Sequence, residues 1–256
     1  MKIAITGKGG VGKTTLSALI ARAWMDKGFK VLAIDVDPVA SLAGALGFPN
    51  PDKIMSLSQM VELIEERTGA KPGKSGQIFK LNPTVSDLPD KIATVHNGVK
   101  LIVMGGVASG GSGCVCPENT LIRSLLQHII LNRDERVVVD MEAGIEHLGR
   151  STADSVDCLI TVVEPSGRSI RAAHQIKSLA KDIGIKNIRV VGNKIQSPDD
   201  EKFILNNLDS LGIIGMIPVS VSIKEMDTKG YRDMTDHKVI SAIDLILTAL
   251  ERKDNA

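Results

Sequence analysis

The chain has 256 residues, 43% apolar and 24% charged, with one Trp, one Tyr, four Phe and three Cys; this is an ordinary globular composition, and low-complexity and fibrous classes are excluded. With 31 Lys and Arg against 30 Asp and Glu, the net charge of +1 argues against a nucleic-acid binder working through bulk charge, and 2% aromatic content leaves little surface for stacking single-stranded bases. An odd cysteine count suits the reducing cytosol better than a disulfide framework, and the amino terminus MKIAITGKGG lacks the apolar core of a secretory signal, so a cytoplasmic protein without a membrane span is expected.

The first apolar, β-branched run, KIAIT at 2–6, reads as a strand covered on both faces. Directly after it, GKGGVGKT at 7–14 matches G-x-x-x-x-G-K-[ST], followed by helical spacing over 14–27. Gly7, Gly9, Gly10 and Gly12 let the backbone, Val11 included, curl so that successive N–H groups face phosphates at a helix N-terminus. Lys13 reaches the β- and γ-phosphates, Thr14 offers its hydroxyl to Mg²⁺, and Thr15 lies near the α-phosphate. The second strand, KVLAID at 30–35, runs into DVDP at 35–38. There Asp37 is expected to orient the attacking water and Asp35 to support the Mg²⁺ shell, although an Asp at a strand end is also a common helix cap.

A helix is expected over 56–67, then an irregular stretch over 69–98 that reads as a surface excursion or a partner-contacting insertion. VKLIVMG at 99–105 is the third strand, and GGVASGGSGCVCP at 105–117 is a glycine-rich loop after it. In C-x-C spacing, Cys114 and Cys116 turn both thiolates to one side of an extended backbone and supply two ligands to one soft metal. Tetrahedral Zn²⁺ and square-planar Ni²⁺ take four, and the five scattered histidines complete no set. The economical completion is a second copy of the chain, a two-fold axis bringing two pairs of thiolates together.

After a helix over 119–131, the strand RVVVDM at 136–141 carries DMEAG at 140–144, where Asp140 is the expected Mg²⁺ ligand and Gly144 an N–H donor to the γ-phosphate. CLITVVE at 158–164 puts Cys158 inside a strand, as a core residue. Following a helix over 168–183, IRVVGN at 188–193 opens GNKIQ at 192–196. Asn193 is the expected base contact, and Gln196 stands where a guanine-selective site needs a carboxylate, so adenine and hence ATP is favoured. A helix over 199–210, the strand GIIGMIP at 212–218 and a final helix over 236–252, whose apolar stripe suits core packing, complete the chain. Strands alternating with helices and no linker imply a single α/β domain over 1–256, a P-loop NTPase with a mainly parallel β-sheet and helices on both faces.

Lys8, directly after the first glycine, makes GKGGVGKT resemble the deviant Walker A loop of a group of ATPases that includes nitrogenase iron protein and chromosome-partitioning ATPases. The resemblance implies that Lys8 crosses a dimer interface to the partner's phosphates, so that hydrolysis is coupled to dimerisation. GKGGVGKT, DVDP, GSGCVCPEN, DMEAGIEHL at 140–148 and VVEPS at 162–166 together resemble the CooC family, ATPases for nickel insertion into carbon monoxide dehydrogenase and relatives assigned to acetyl-CoA synthase maturation. That resemblance implies a homodimeric metallochaperone with a nickel-enzyme client, Cys114 and Cys116 of both chains as ligands of one Ni²⁺ or Zn²⁺ per dimer, Asp37 and Asp140 as switch residues, and Pro218, in the IPV turn at 217–219, flanking the adenine. An iron–sulfur carrier resembling nitrogenase iron protein is the alternative, although 141–157 lacks the second cysteine of that family.

Overall fold

The computed structural model describes residues 1–74, 76–105, 116–132, 135–142, 156–208, 211–229 and 234–252. The seven strands read from the sequence are present: β1 (Lys2–Gly7), β2 (Val31–Asp35), β4 (Val99–Val103), β5 (Arg136–Asp140), β6 (Cys158–Val163), β7 (Ile188–Ile195) and β8 (Ile213–Pro218). With an eighth strand, β3 (Thr94–His96), they form one sheet in the order β3-β4-β2-β5-β1-β6-β7-β8, parallel throughout except for β3.

Strand β3 (Thr94–His96) was not expected. It pairs antiparallel with β4, Thr94 opposite Leu101 and His96 opposite Val99, across Asn97–Gly98, whose φ values of 45° and 80° are those of a tight hairpin turn. The Asn-Gly pair was the available signal, hidden in a stretch read as irregular. Upstream of it, Arg67 clasps Asp87 with two hydrogen bonds of 3.0 and 2.8 Å, and buried Val85 and Leu88 return the segment to the core. Much of this excursion is thereby tied down.

Helices cover both faces. Strand side chains alternate, so Ile3, Ile5, Ala33 and Ile160 pack on one face with α1 (Lys13–Asp26) and the carboxyl-terminal helix, and Ala4, Leu32, Ile34 and Leu159 on the other with α5 (Pro117–Asn132). Between them in the chain lie α2 (Leu42–Ala45), α3 (Val61–Thr68) and α4 (Leu88–Ile92). The helix expected over 56–67 is split: Ser56 and Gln59 form a reciprocal cap around a short 3₁₀ turn, and α3 begins afresh at Val61. The last elements are α6 (Gly167–Ile183), capped by Ser166 accepting from the Ser169 N–H, α7 (Pro198–Leu208), α8 (Val221–Lys229) and α9 (His237–Glu251), capped by Asp236. Cys158 is buried in the first face, and desolvation pushes its thiol up to about 12, which suits an inert core residue.

Candidate nucleotide site and the base of the cysteine loop

The carboxyl ends of β1, β2, β5, β7 and β8 bring together Gly7–Thr15, Asp35, Asp37, Asp140, Asn193 and Pro218. In an open parallel sheet this end, beside the central strand where the strand order reverses, is where ligands bind. Two glycines are required by the geometry. Gly7, at φ 148°, lies so close to β6 that a Cβ would stand 2.5 Å from the Val162 carbonyl oxygen. Gly12, at φ 96°, caps α1 with a left-handed backbone, and a Cβ there would overlap the Asn193 side-chain amide. No side chain caps α1 and none in its first turn is acidic, so its amino-terminal N–H groups and positive dipole end are left to an anion. Lys13 is 8% exposed, and Lys8 and Thr15 are half-buried at the same loop.

The loop is braced from β7. Asn193 Nδ2 donates to the Val11 carbonyl at 2.8 Å, and its Oδ1 accepts from the Lys194 N–H at 2.9 Å. The residue expected at the base thus spends one amide hydrogen on the phosphate loop and keeps the other. Lys194, at φ 60°, donates from Nζ to the Gly10 carbonyl at 2.6 Å and lies 3.4 Å from Glu164 Oε2. Lys194 was missed in the sequence, where only its neighbour in GNK drew notice. Its head group is half-exposed, so the charge-assisted bond is worth about 1 kcal/mol. Lys194→Met is therefore expected to raise the KM for ATP about fivefold to tenfold with a smaller change in kcat, measured by steady-state ATPase kinetics. Pro218 pairs with Ile195 at the end of β8, and the Val219 N–H donates to the Ile195 carbonyl at 2.9 Å, so 218–219 and Asn193 share one end of the sheet.

The acidic side is set by register. Strands β2 and β5 pair Asp35 directly with Asp140, which puts two buried carboxyl groups side by side. Asp35 accepts three backbone N–H bonds, from Asp37 at 3.1 Å, Ser41 at 3.0 Å and Leu42 at 2.9 Å, and so closes the DVDP turn onto α2. This is the geometry of a cap. Desolvation, opposed by the Leu42 N–H and reinforced by Asp140, raises its carboxyl to about 7. Asp140 accepts from Ser17 Oγ at 3.0 Å through Oδ1, whereas Oδ2 is buried without a hydrogen-bond partner. Burial raises this carboxyl to about 6, against the pull of the Thr14 and Ser17 hydroxyls and of Lys13. A buried, unpartnered carboxylate oxygen beside hydroxyls fits Mg²⁺, which takes oxygen donors. Thr14 Oγ1 accepts from Ser41 Oγ at 3.4 Å, and half-buried Asp37 accepts the Val39 N–H at 2.9 Å. Ser17 and Ser41 were both missed; Ser17 lies one helical turn after Lys13, which is the signal its sequence position carried.

Strand β4 leads from this turn to Gly105, the last described residue before the cysteine pair. The Met104 N–H donates to the Asp35 carbonyl at 2.8 Å, and the Ser58 N–H to the Met104 carbonyl at 3.0 Å. Gly105, at φ 76°, sits against the Ser56 and Ser58 hydroxyls, where a side chain has no room. The carbonyl of half-buried Cys116 accepts the Thr120 N–H at 3.0 Å, and Pro117 opens α5. A cavity of about 840 Å³ lies between, lined by Pro38, Ala40, Ser56, Gly105 and Glu118. Cys114 and Gly144 lie outside the described residues, and among those residues no group of three His, Cys, Asp or Glu is arranged to hold a metal. Among them, too, no helix is long and apolar enough to cross a membrane.

Residues 2–232 match the family described as the CobQ/CobB/MinD/ParA nucleotide binding domain. The chain is 49% identical over 232 residues to the carbon monoxide dehydrogenase accessory protein CooC of Rhodospirillum rubrum, covering 90% of this chain and 88% of that protein. It is 45% identical, over 100% of its length and 99% of the relative, to an uncharacterized ATP-binding protein of Methanocaldococcus jannaschii. Among solved structures, the septum site-determining protein MinD of Pyrococcus horikoshii complexed with Mg-ADP superposes with a TM-score of 0.69 at 20% identity, covering 98% and 95% of the two chains, a likeness of fold.

Proposed function

Because the chain belongs to the CobQ/CobB/MinD/ParA nucleotide-binding family, and within it to the CooC family, we propose that it is an ATP-dependent metallochaperone that supports nickel insertion into a client enzyme such as carbon monoxide dehydrogenase or acetyl-CoA synthase. The observation that carries the reading is the 49% identity to CooC along 90% of the chain.

In this reading Lys13 and the N–H groups of Gly9, Gly10, Val11 and Gly12 hold the phosphates, and Thr15 meets the α-phosphate. Asp140 Oδ2 and the Thr14 hydroxyl hold Mg²⁺, which neutralises phosphate charge; Asp35 fixes the turn beside them. Asp37 orients the attacking water. Lys8 reaches the partner's phosphates in a homodimer, so hydrolysis requires the closed pair. Asn193 and Pro218 flank the adenine. Cys114 and Cys116 of the two chains together hold one Ni²⁺ or Zn²⁺ ion as cargo, and the Asp35–Met104 hydrogen bond gives the nucleotide turn a direct grip on the strand from which their loop springs. ATP can bias that site only by binding the closed dimer better than the open chains.

The test is the paired change Cys114→Ser and Cys116→Ser, read by light scattering and metal analysis. ATP hydrolysis is expected to survive while Ni²⁺-dependent dimerisation and client activation are lost. A wild-type protein that stays monomeric with ATP and Ni²⁺ and binds less than one metal per two chains overturns the reading, as does a brown protein absorbing near ~400 nm, the mark of an iron–sulfur cluster.

A further inference from the structure

The amino ends of the strands, opposite the nucleotide, carry a second feature. A cavity of about 1220 Å³ opens between the starts of β5, β7 and β8 and the carboxyl ends of α6 and α9. Arg136, Lys177, Lys181, Lys186, Arg189 and Arg252 line it, in a chain whose net charge is only +1. The two carboxylates at its wall are already engaged: Asp157 accepts the Lys2 N–H at 2.7 Å, and Glu251 lies 3.4 Å from Arg136. Lys181, Lys186 and Arg252 are exposed, and among the described residues they have no ion-pair partner.

Complementing helix dipoles explains part of this. Lys181 sits in the last turn of α6 and Arg252 caps α9, where a cation offsets the negative helix end. Arg136, Lys186 and Arg189 lie at or before strand starts, where no such end calls for them.

We propose that this cavity docks an acidic segment of a partner protein. A compact phosphate group favours backbone N–H donors and helix N-termini, and this face presents helix C-termini with long, separately mobile cations instead. Such cations suit carboxylates spaced along a chain. The volume exceeds the ~300–1,000 Å³ of ordinary small-molecule pockets. Phe29, Leu211 and Leu250 supply an apolar floor for a side chain of the segment, with the Arg136 guanidinium 4.3 Å from the centre of the Phe29 ring. Phe29 is the one aromatic ring among the described lining residues, and the guanidinium already occupies one of its faces, which leaves little for stacking successive nucleic-acid bases. A concave, lysine-lined wall also differs from the flat apolar face that a membrane surface takes up.

The test uses a fluorescein-labelled, glutamate-rich peptide of about eight residues interrupted by leucines, followed by anisotropy. Wild-type protein is expected to bind it, about tenfold more weakly when salt is raised from about 0.05 to about 0.2 M. K181E/K186E/R252E is expected to weaken binding at least about tenfold. The neutral K181Q/K186Q/R252Q should fall between, with ATPase activity unchanged in both, since the cavity lies a strand length of about 15–20 Å from the nucleotide; loss of the helix-end charges at Lys181 and Arg252 lowers the unfolding midpoint slightly, more in the charge-reversed protein. Failure of the wild type to bind, or equal binding by the charge-reversed protein, overturns the proposal. So does tighter binding of phosphatidylglycerol vesicles or duplex DNA at the same salt. None of these results bears on the ATPase reading, which the hydrolysis assay follows separately.

Discussion

Asp140→Asn is expected to abolish Mg²⁺-dependent ATP hydrolysis, lowering kcat at least about 100-fold, while making the nucleotide-free protein more stable at pH 8. Both effects come from one oxygen. Asp140 Oδ2 is buried without a partner, which is costly in the empty site and is what a cation relieves. Raising the carboxyl from 3.8 to about 6 makes the ionised form unfavourable in the fold, and each unit is worth about 1.4 kcal/mol. Asn keeps an acceptor for the Ser17 hydroxyl and removes the charge, for an expected gain of about 1–3 kcal/mol by urea unfolding. The sign of the pH dependence follows. A carboxyl whose folded pKa is raised holds a proton that the unfolded chain has released, so stability falls as pH rises from about 4 to about 7, through the raised values of Asp140 and Asp35, and is level above. The wild-type unfolding free energy should show this fall and the variant a smaller one. A variant that hydrolyses ATP normally, or a wild type whose stability rises over that window, contradicts the assignment.

Gly12→Ala is expected to lower ATP affinity at least about 100-fold and to destabilise the fold by about 2–4 kcal/mol. The left-handed backbone at φ 96° costs an L side chain about 1–2 kcal/mol, and the added methyl displaces the Asn193 amide from its bond to Val11. The loop's N–H groups then lose the curvature that faces them toward phosphate. Because the two side chains meet, the losses are not additive: in a Gly12→Ala, Asn193→Ala double variant, removing the amide leaves room for the methyl, and part of the stability returns. Calorimetric ATP titration and urea unfolding of the four proteins form the cycle. Strictly additive losses would show that Gly12 and Asn193 do not touch in solution.

Much of this was legible in the linear chain. GKGGVGKT names a phosphate loop because its demands are local: glycine torsions, a lysine and a hydroxyl, a strand before and a helix after. The strands announced themselves as unalternated apolar runs because a parallel sheet buried on both faces leaves no polar side to mark. The hairpin at Asn97–Gly98 and the break at Ser56–Gln59 were lost because short turn chemistry is weaker than apolar periodicity as a signal.

By itself, then, the sequence determined the phosphate-loop motif and the parallel α/β architecture, since each rests on neighbours within a few residues. Only the tertiary structure decided how the acidic residues divide their work. Register between β2 and β5 sets Asp35 beside Asp140, backbone N–H groups consume the oxygens of the first, and one oxygen of the second is left bare. It also decided that Asn193 and Lys194 brace a loop more than 180 residues earlier in the chain, and that lysines and arginines scattered along the sequence converge on one cavity. Those contacts depend on which strands lie side by side, and strand order follows from how the helices cover the two faces of the sheet, which no short stretch of sequence encodes.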